Sequence, residues 1–381
     1  MINMNNMKKN ILFAFVGATL LSGFSLVSCN KKLSSIPVQE VQDKHFVDAL
    51  SDSYTYLVLD DSSVDAILGE ITEVLVDDDL IFISHIPHAG GSYLTDQELS
   101  VYDKNGKYLR RIGRKGRAQN EYLYLTSWAL DKANKEVYMF DRSTSIIKKF
   151  SYEGEYISKI DLTDETSGSR MFMIGDKLYL QTLMPYDKRD DLIEISLDGT
   201  CRELFEQRGI GTDLFGFSGG HIRKSPDLKS FYHLRPMDNT LYYISESGKV
   251  DSCGYFDFIE VPSQTTLKGL TTDDADYLMT IPSVTHENSD YYIVSIAQQP
   301  VYVLSKSTGK LTGYKPENSS FFVFNRAVVG ITDDQIICSF PSEEAKHAAR
   351  TFTNAPDDLK TMYRDMAASE NESLIFYHLN K

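Results

Sequence analysis

The chain has 381 residues, with 39 Lys+Arg against 54 Asp+Glu and a formal net charge of −15. Its 42% hydrophobic and 24% charged residues are the proportions of a folded globular protein and exclude a disordered or fibrous one. The acidic balance argues against nucleic acid as a partner, since phosphate contact needs clustered Lys and Arg, and four Cys are too few for a disulfide-stapled scaffold of this length. The 23 Tyr and 20 Phe lean towards strands.

Taken in chain order, the first element is an address. Lys8 and Lys9 precede an apolar run, Ile11–Leu21, far shorter than the roughly 20 residues that span a bilayer. Length and basic flank read as a secretory signal peptide. Leu26-Val27-Ser28-Cys29 resembles a bacterial lipobox. The resemblance implies cleavage before Cys29 and lipidation of that residue, giving a signal peptide over 1–28, a lipidated Cys and tether over 29–45, and a folded domain over 46–381. Loss of residues 1–28 removes two cations and no acid, so the charge of the mature chain falls to −17. The expected address is the cell envelope, at the outer membrane and held there through lipid, with the domain facing the periplasm or the cell surface.

A hairpin then recurs along the domain. Leu99–Gly113 alternates apolar and polar residues around Asn105-Gly106, and the pattern returns around Gly154, Gly199, Gly248 and Gly309. These glycines lie 48, 45, 49 and 61 residues apart. Further strand-like runs precede the hairpins, among them Ser127–Leu130, Met171–Ile174 and Tyr291–Ile296. About four short strands per repeat is the pattern of a propeller blade. Phe321–Val329, Gln335–Phe340 and Ser373–Leu379 build one more blade when joined by Tyr54–Leu59 from the other end of the chain. The expected fold is therefore all-β, a six-bladed propeller closed by both ends. Glu343–Ala368 departs from this with two short helices, an insertion in the last blade.

The stretch Asp103–Tyr122, DKNGKYLRRIGRKGRAQNEY, resembles six-bladed β-propeller lipoproteins of Bacteroidota. ALDKANKEVYMFDRSTSIIKKFSYEGEYISKI, MDNTLYYISESGKV and ESLIFYHLNK are similar to later blades and to the closing strand of that family. A looser resemblance extends to NHL-type propellers. Ala118-Gln119-Asn120 departs from the family pattern, where Gly-Pro-Gly is usual. The resemblance implies a fold and an envelope address, and it brings no reaction with it.

Candidate chemistry is sparse. Arg114, Lys115 and Arg117, set among Gly113 and Gly116, suit a carboxylate or phosphate, or simply form a connector locked by Glu121 and Tyr122. His85 and His88 are three apart but sit beside Pro87 and two glycines, so they read as a loop and not as a metal site. Phe217 and His221, in a Gly-rich run, suit stacking on a sugar or peptide, or simple packing on the adjoining blade. Asp77-Asp78-Asp79 and Asp273, Asp274 and Asp276 offer the oxygen ligands calcium takes, but lack the spacing and Gly of an EF-hand loop and read as solvated acidic turns. Cys201, Cys253 and Cys338 are expected as small buried residues, and Trp128 as packing. No catalytic residue, metal site or cofactor motif emerges. The leading reading is a binding or interaction module for a glycan, peptide or envelope protein. The alternative is a hydrolase or lactonase-like propeller with a metal in the central channel, which requires Asp, Glu, Asn or His from several blades to converge on the axis.

Overall fold

The computed structural model describes residues 33–87, 91, 96–162, 168–182, 192–206, 221–235, 238–259, 261, 282–296, 300–315 and 327–380. The signal segment 1–28 and Cys29 lie outside these.

The described chain opens with β1 (Val38–Gln42), α1 (Phe46–Leu50) and β2 (Ser51–Leu57). A first blade follows: β3 (Glu70–Asp77), β4 (Leu80–Ile86), β5 (Glu98–Asp103) and β6 (Tyr108–Ile112). A two-residue parallel pair, β7 (Arg114–Lys115) and β8 (Glu121–Tyr122), leads to the second blade. That blade holds β9 (Leu125–Asp131), β10 (Glu136–Asp141), β11 (Ile146–Ser151) and β12 (Tyr156–Asp161). The third has β13 (Gly168–Ile174), β14 (Lys177–Thr182), β15 (Leu192–Ile195) and β16 (Cys201–Glu203). Then come β17 (His221–Lys224) and a three-stranded sheet of β18 (Phe231–Leu234), β19 (Thr240–Ile244) and β20 (Val250–Tyr255). The fourth blade is β21 (Pro282–Glu287), β22 (Tyr291–Ile296), β23 (Val301–Ser305) and β24 (Leu311–Tyr314). The closing blade joins β25 (Ala327–Ile331), β26 (Gln335–Phe340) and β27 (Ser373–Leu379) to β2, with helices α2 (Ser342–Thr351) and α3 (Asp357–Ala367) between β26 and β27.

The fold is thus an all-β propeller arrangement with five complete blades among the described residues, where the sequence pattern predicts six. The difference lies at β17. Each complete blade pairs its first strand antiparallel with its second, but β17 pairs parallel with β21 of the next blade and leaves β18 without a laddered inner neighbour. An ion pair takes over the missing ladder. The Glu287 carboxylate accepts from the Tyr232 backbone N–H at 2.8 and 3.0 Å, and Lys224 Nζ donates to the Tyr232 carbonyl at 2.6 Å. Lys224 and Glu287, 2.6 Å apart and both buried, satisfy each other at the same time, and Lys306 Nζ adds a second contact to Glu287 at 2.6 Å. The Tyr232 N–H and carbonyl, on the buried edge of β18, are thereby satisfied.

Apolar residues fill the seams between neighbouring sheets. Phe82 and Val101 of the first blade pack on Trp128, Val137 and Phe150 of the second. Phe172 and Tyr179 of the third pack on Phe231 and Ile244 of the three-stranded sheet, whose Leu241 meets Tyr292 and Val294 of the fourth. Val329 and Ile337 of the closing blade meet Ile71 and Val74 of the first. Strands buried on both faces follow from this, and β9 (LTSWALD) is buried at every position. Trp128 is a packing residue, as expected. All five hairpin glycines have positive φ, as the turn chemistry requires. At Gly199 a side chain would also overlap the Asp161 carbonyl of the preceding blade.

The N-terminal segment is a strap along the rim. Ile36 N–H donates to the Tyr255 carbonyl and Tyr255 N–H to the Ser34 carbonyl, covering the edge of β20. β1 then adds in parallel to β24. β2 pairs antiparallel with β27, from Ser51↔Leu379 to Leu57↔Leu374, which is the closure read from the sequence.

Two expectations are corrected. Asp77 is no solvated turn residue: it is buried, because Lys135 Nζ at 2.7 Å, Lys132 Nζ at 3.6 Å and the Tyr152 hydroxyl at 2.9 Å surround its carboxylate. Cys338 is buried, but Cys201 is half-buried and Cys253 exposed, since both lie on outer strands, β16 and β20. All three are free thiols. Asp273, Asp274 and Asp276 lie outside the described residues.

Candidate functional site

Antiparallel blades sort their connections by face. The turns between first and second strands and between third and fourth strands fall on one face and are short, such as 78–79, 132–135 and 332–334. The second-to-third connections and the blade-to-blade connections fall on the other, including 113–124 and the helical insertion at 341–372. The tight-turn face is tied together by ions. Lys132 Nζ reaches Asp227 at 2.6 Å as well as Asp77, linking turns of the first blade, the second blade and the β17–β18 connection.

The basic connector occupies the long-connection face. Its backbone is pinned from within: Gly116 N–H donates to the Tyr122 carbonyl at 2.8 Å, Ala118 N–H to Glu121 Oε2 at 2.8 Å, and Lys148 Nζ to the Gln119 carbonyl at 2.9 Å. Glu121 and the buried Tyr122 lock the turn, as the connector reading expects. Lys115 pairs with Asp96 at 3.0 Å and lies over the Tyr124 ring. Arg114 and Arg117 are exposed and form no ion pair among the described residues. The connector is thus a hydrogen-bonded mount presenting two guanidinium groups uncommitted among the described residues.

Along the axis, first strands bring a set of charged groups together. Arg223 of β17 stands in register with His286 of β21, so both lie on one face of that parallel ladder, while Lys224 and Glu287 share the other. Arg223 Nη2 donates to the Thr72 carbonyl of β3 at 2.8 Å, reaching from β17 to the first blade. Beside Thr72, Glu73 is 7% exposed and forms no ion pair among the described residues. Arg170 of β13 is 3% exposed. Burial raises the Glu73 carboxyl above its ordinary value, and the charges of Arg170 and Arg223 oppose this. Burial lowers Arg223 to about 10, helped by Arg170 and opposed by Glu73. Burial, with Arg223 and Lys224 nearby, pushes His286 well below the usual histidine value, so its ring is neutral at pH 7. Behind the guanidinium, Thr72 Oγ1 contacts Ser84 Oγ at 2.8 Å and donates to Gln97 Oε1 at 3.0 Å, and Gln97 Nε2 donates to the Thr126 carbonyl at 2.8 Å.

The remaining candidates fare differently. His85 is fully buried within the first blade. Its Nδ1 accepts from Gly69 N–H at 3.3 Å, its Nε2 lies 3.3 Å from Ser100 Oγ, and burial with the Arg111 charge pushes it down to about 3. It is a neutral hydrogen-bonding ring of the fold. His88 and Phe217 lie outside the described residues. The backbone of His221 begins β17 beside Val284. Sequence reasoning missed Glu73, Arg170, Arg223 and His286. The one available signal was a charged residue within each strand-like run. Among the described residues no group of three or more His, Cys, Asp or Glu is placed to hold a metal, and no helix is long and apolar enough to cross a membrane.

Residues 33–378 match the family described as a domain of unknown function, DUF4934. Similar solved structures include a Bacteroides fragilis protein described as exported, with 16% identity, a TM-score of 0.65, and coverage of 91% of this chain and 100% of that one. Another is a member of the DUF4221 family from Bacteroides vulgatus, with 9% identity, a TM-score of 0.53, and coverage of 86% and 97%. At these identities the likeness is one of fold. No curated protein matches the chain.

Proposed function

The chain belongs to the DUF4934 family, and we propose that it is a non-catalytic binding propeller of the cell envelope, anchored through a lipidated Cys29. The exported description of the Bacteroides fragilis neighbour and the lipobox-like Leu26–Cys29 both support that address. The three-stranded sheet, packed in sequence between the third and fourth blades, stands in this reading as a sixth blade whose inner position is served by β17.

The observation that carries the binding role is the hydrogen-bonded connector with Arg114 and Arg117 uncommitted among the described residues, on the face that also bears the helical insertion. In a protein of net charge −15 these groups suit a carboxylate- or phosphate-bearing partner: an acidic glycan, a peptide or an envelope protein. The test is binding of the purified chain to arrays of acidic glycans and peptides, alongside an Arg114→Ser/Arg117→Ser variant. Salt-sensitive binding lost in the variant is expected. Binding untouched by the variant, or turnover of any arrayed molecule, would overturn the reading. Separately, Cys29→Ser is expected to abolish labelling by a fatty-acid analogue and to release the protein from membranes. Retained labelling would remove the lipid anchor.

A further inference from the structure

The point at which the tether joins the ring decides which part of the ring meets the bilayer. Among the described residues six apolar seams run round the propeller: first blade to second, second to third, third to the three-stranded sheet, that sheet to the fourth blade, fourth to closing, and closing back to first. The strap lies on the seam between the three-stranded sheet and the fourth blade. Ile36 and Val38 pack against the apolar residues of that seam, and backbone bonds tie Ser34 and Ile36 to Tyr255. Ser35 Oγ donates to Asp257 Oδ2 at 2.9 Å, and β1 continues along β24. The basic connector lies on the seam between the first and second blades, where Tyr122 joins the cluster that holds Phe82 and Phe150. These two seams are three steps apart in a circuit of six, so strap and connector sit on opposite sides of the ring.

Five residue steps separate Cys29 from Ser34, at most about 18 Å of extended chain. Lys31 and Lys32 lie within that tether, and cations beside a membrane are drawn to anionic headgroups, which shortens its free part. Opposite rims of the ring are farther apart than this: two radial stacks of three or four strands, spaced ~4.8 Å, span on the order of 30 Å. The acidic domain is repelled by the same headgroups, which opposes laying a whole face on them. Resting on the lipid-anchor reading above, we propose that the propeller stands edge-on on the bilayer. The rim formed by the strap, β20 and β24 is its membrane-facing surface, and the Arg114–Arg117 connector is held on the far rim. Val41 of β1, 60% exposed, is an apolar side chain on the membrane-facing rim. The partner of Arg114 and Arg117 then arrives from the aqueous side, and the headgroups of the anchoring membrane are not its ligand.

The natural thiol of Cys253, exposed on β20 beside the strap, serves as the probe. The full lipidated chain with Cys201→Ser is labelled there with a fluorophore and placed in phosphatidylethanolamine–phosphatidylglycerol vesicles carrying a nitroxide quencher on the headgroup. A second chain, Cys201→Ser/Cys253→Ser/Arg117→Cys, carries the label on the connector. Quenching several-fold stronger at position 253 than at 117 is expected. Equal quenching, stronger quenching at 117, or none at either position in chains that float with the vesicles would overturn the orientation and leave the anchor standing. Chains that fail to float with the vesicles remove the anchor, and the orientation with it. Should the labelled variants fail to fold, the wild-type chain gives a second readout. A bulky water-soluble maleimide, followed by peptide mapping, is expected to modify Cys253 several-fold more slowly on vesicles than in the unanchored Cys29→Ser chain, and equal rates overturn the proposal.

Discussion

At the scale of single residues, buried charge decides most. Glu287 joins Lys224, Lys306 and the Tyr232 N–H, so its loss strands two cations and a backbone donor. Glu287→Leu is expected to cost about 3–5 kcal/mol, the cost of breaking a buried pair. Lys224→Met is expected to cost less, because Glu287 keeps Lys306. Denaturant midpoints of the two variants check the order. Glu372 offers a pH test. Burial raises its carboxyl to about 7, with Glu70 and Glu344 adding to the rise, while bonds from Ser339 and Ile71 work against it. The folded value lies above the unfolded one, so protonation favours the native state. That contribution is full below about pH 4.5 and is lost as pH climbs through about 7. Glu372→Gln is therefore expected to be the more stable protein at pH 8, on the order of 2 kcal/mol, with little difference at pH 4.5. Equal pH dependence of the two midpoints would contradict it.

At the scale of elements, the hairpin turns were readable because their requirement is local: a positive φ beside two alternating strands. Gly199 and Gly309 separate the two parts of that requirement. Both have positive φ, but a side chain at Gly199 also meets the Asp161 carbonyl, whereas Gly309 has open space. Gly199→Ala is expected to lower stability by about 1–3 kcal/mol, and Gly309→Ala by clearly less. Thermal melts of both resolve the difference. The helices between β26 and β27 were legible from Ala, Glu and Met at helical spacing, and the basic connector from its glycines. β17 was not legible. Four residues after a Gly-rich run carry no periodicity, and their partner β21 lies 63 positions onward, as the Lys224–Glu287 contact shows. The axial groups were hidden for the same reason: which first-strand residue faces the axis depends on register, and a shift of one residue reverses it. Asp77 misled because its cations sit on the next blade.

At the scale of the whole molecule, the strap and the closing blade make the two ends responsible for the rim. Deleting residues 33–42 is expected to leave a folded propeller with bare β20 and β24 edges, which then self-associates in size-exclusion chromatography. Deleting 374–381 removes the partner of both β2 and β26, and a broad, non-cooperative melt is expected. The closure also sets an order of events in time. Thr55 meets His378, 323 residues later, and Ile36 waits for Tyr255. A ribosome adding roughly 5–20 residues per second therefore holds the first strands without partners for most of synthesis. The two terminal strands β1 and β2 emerge first and dock last, after the blades between them, whose strands pair with near neighbours in sequence, have formed.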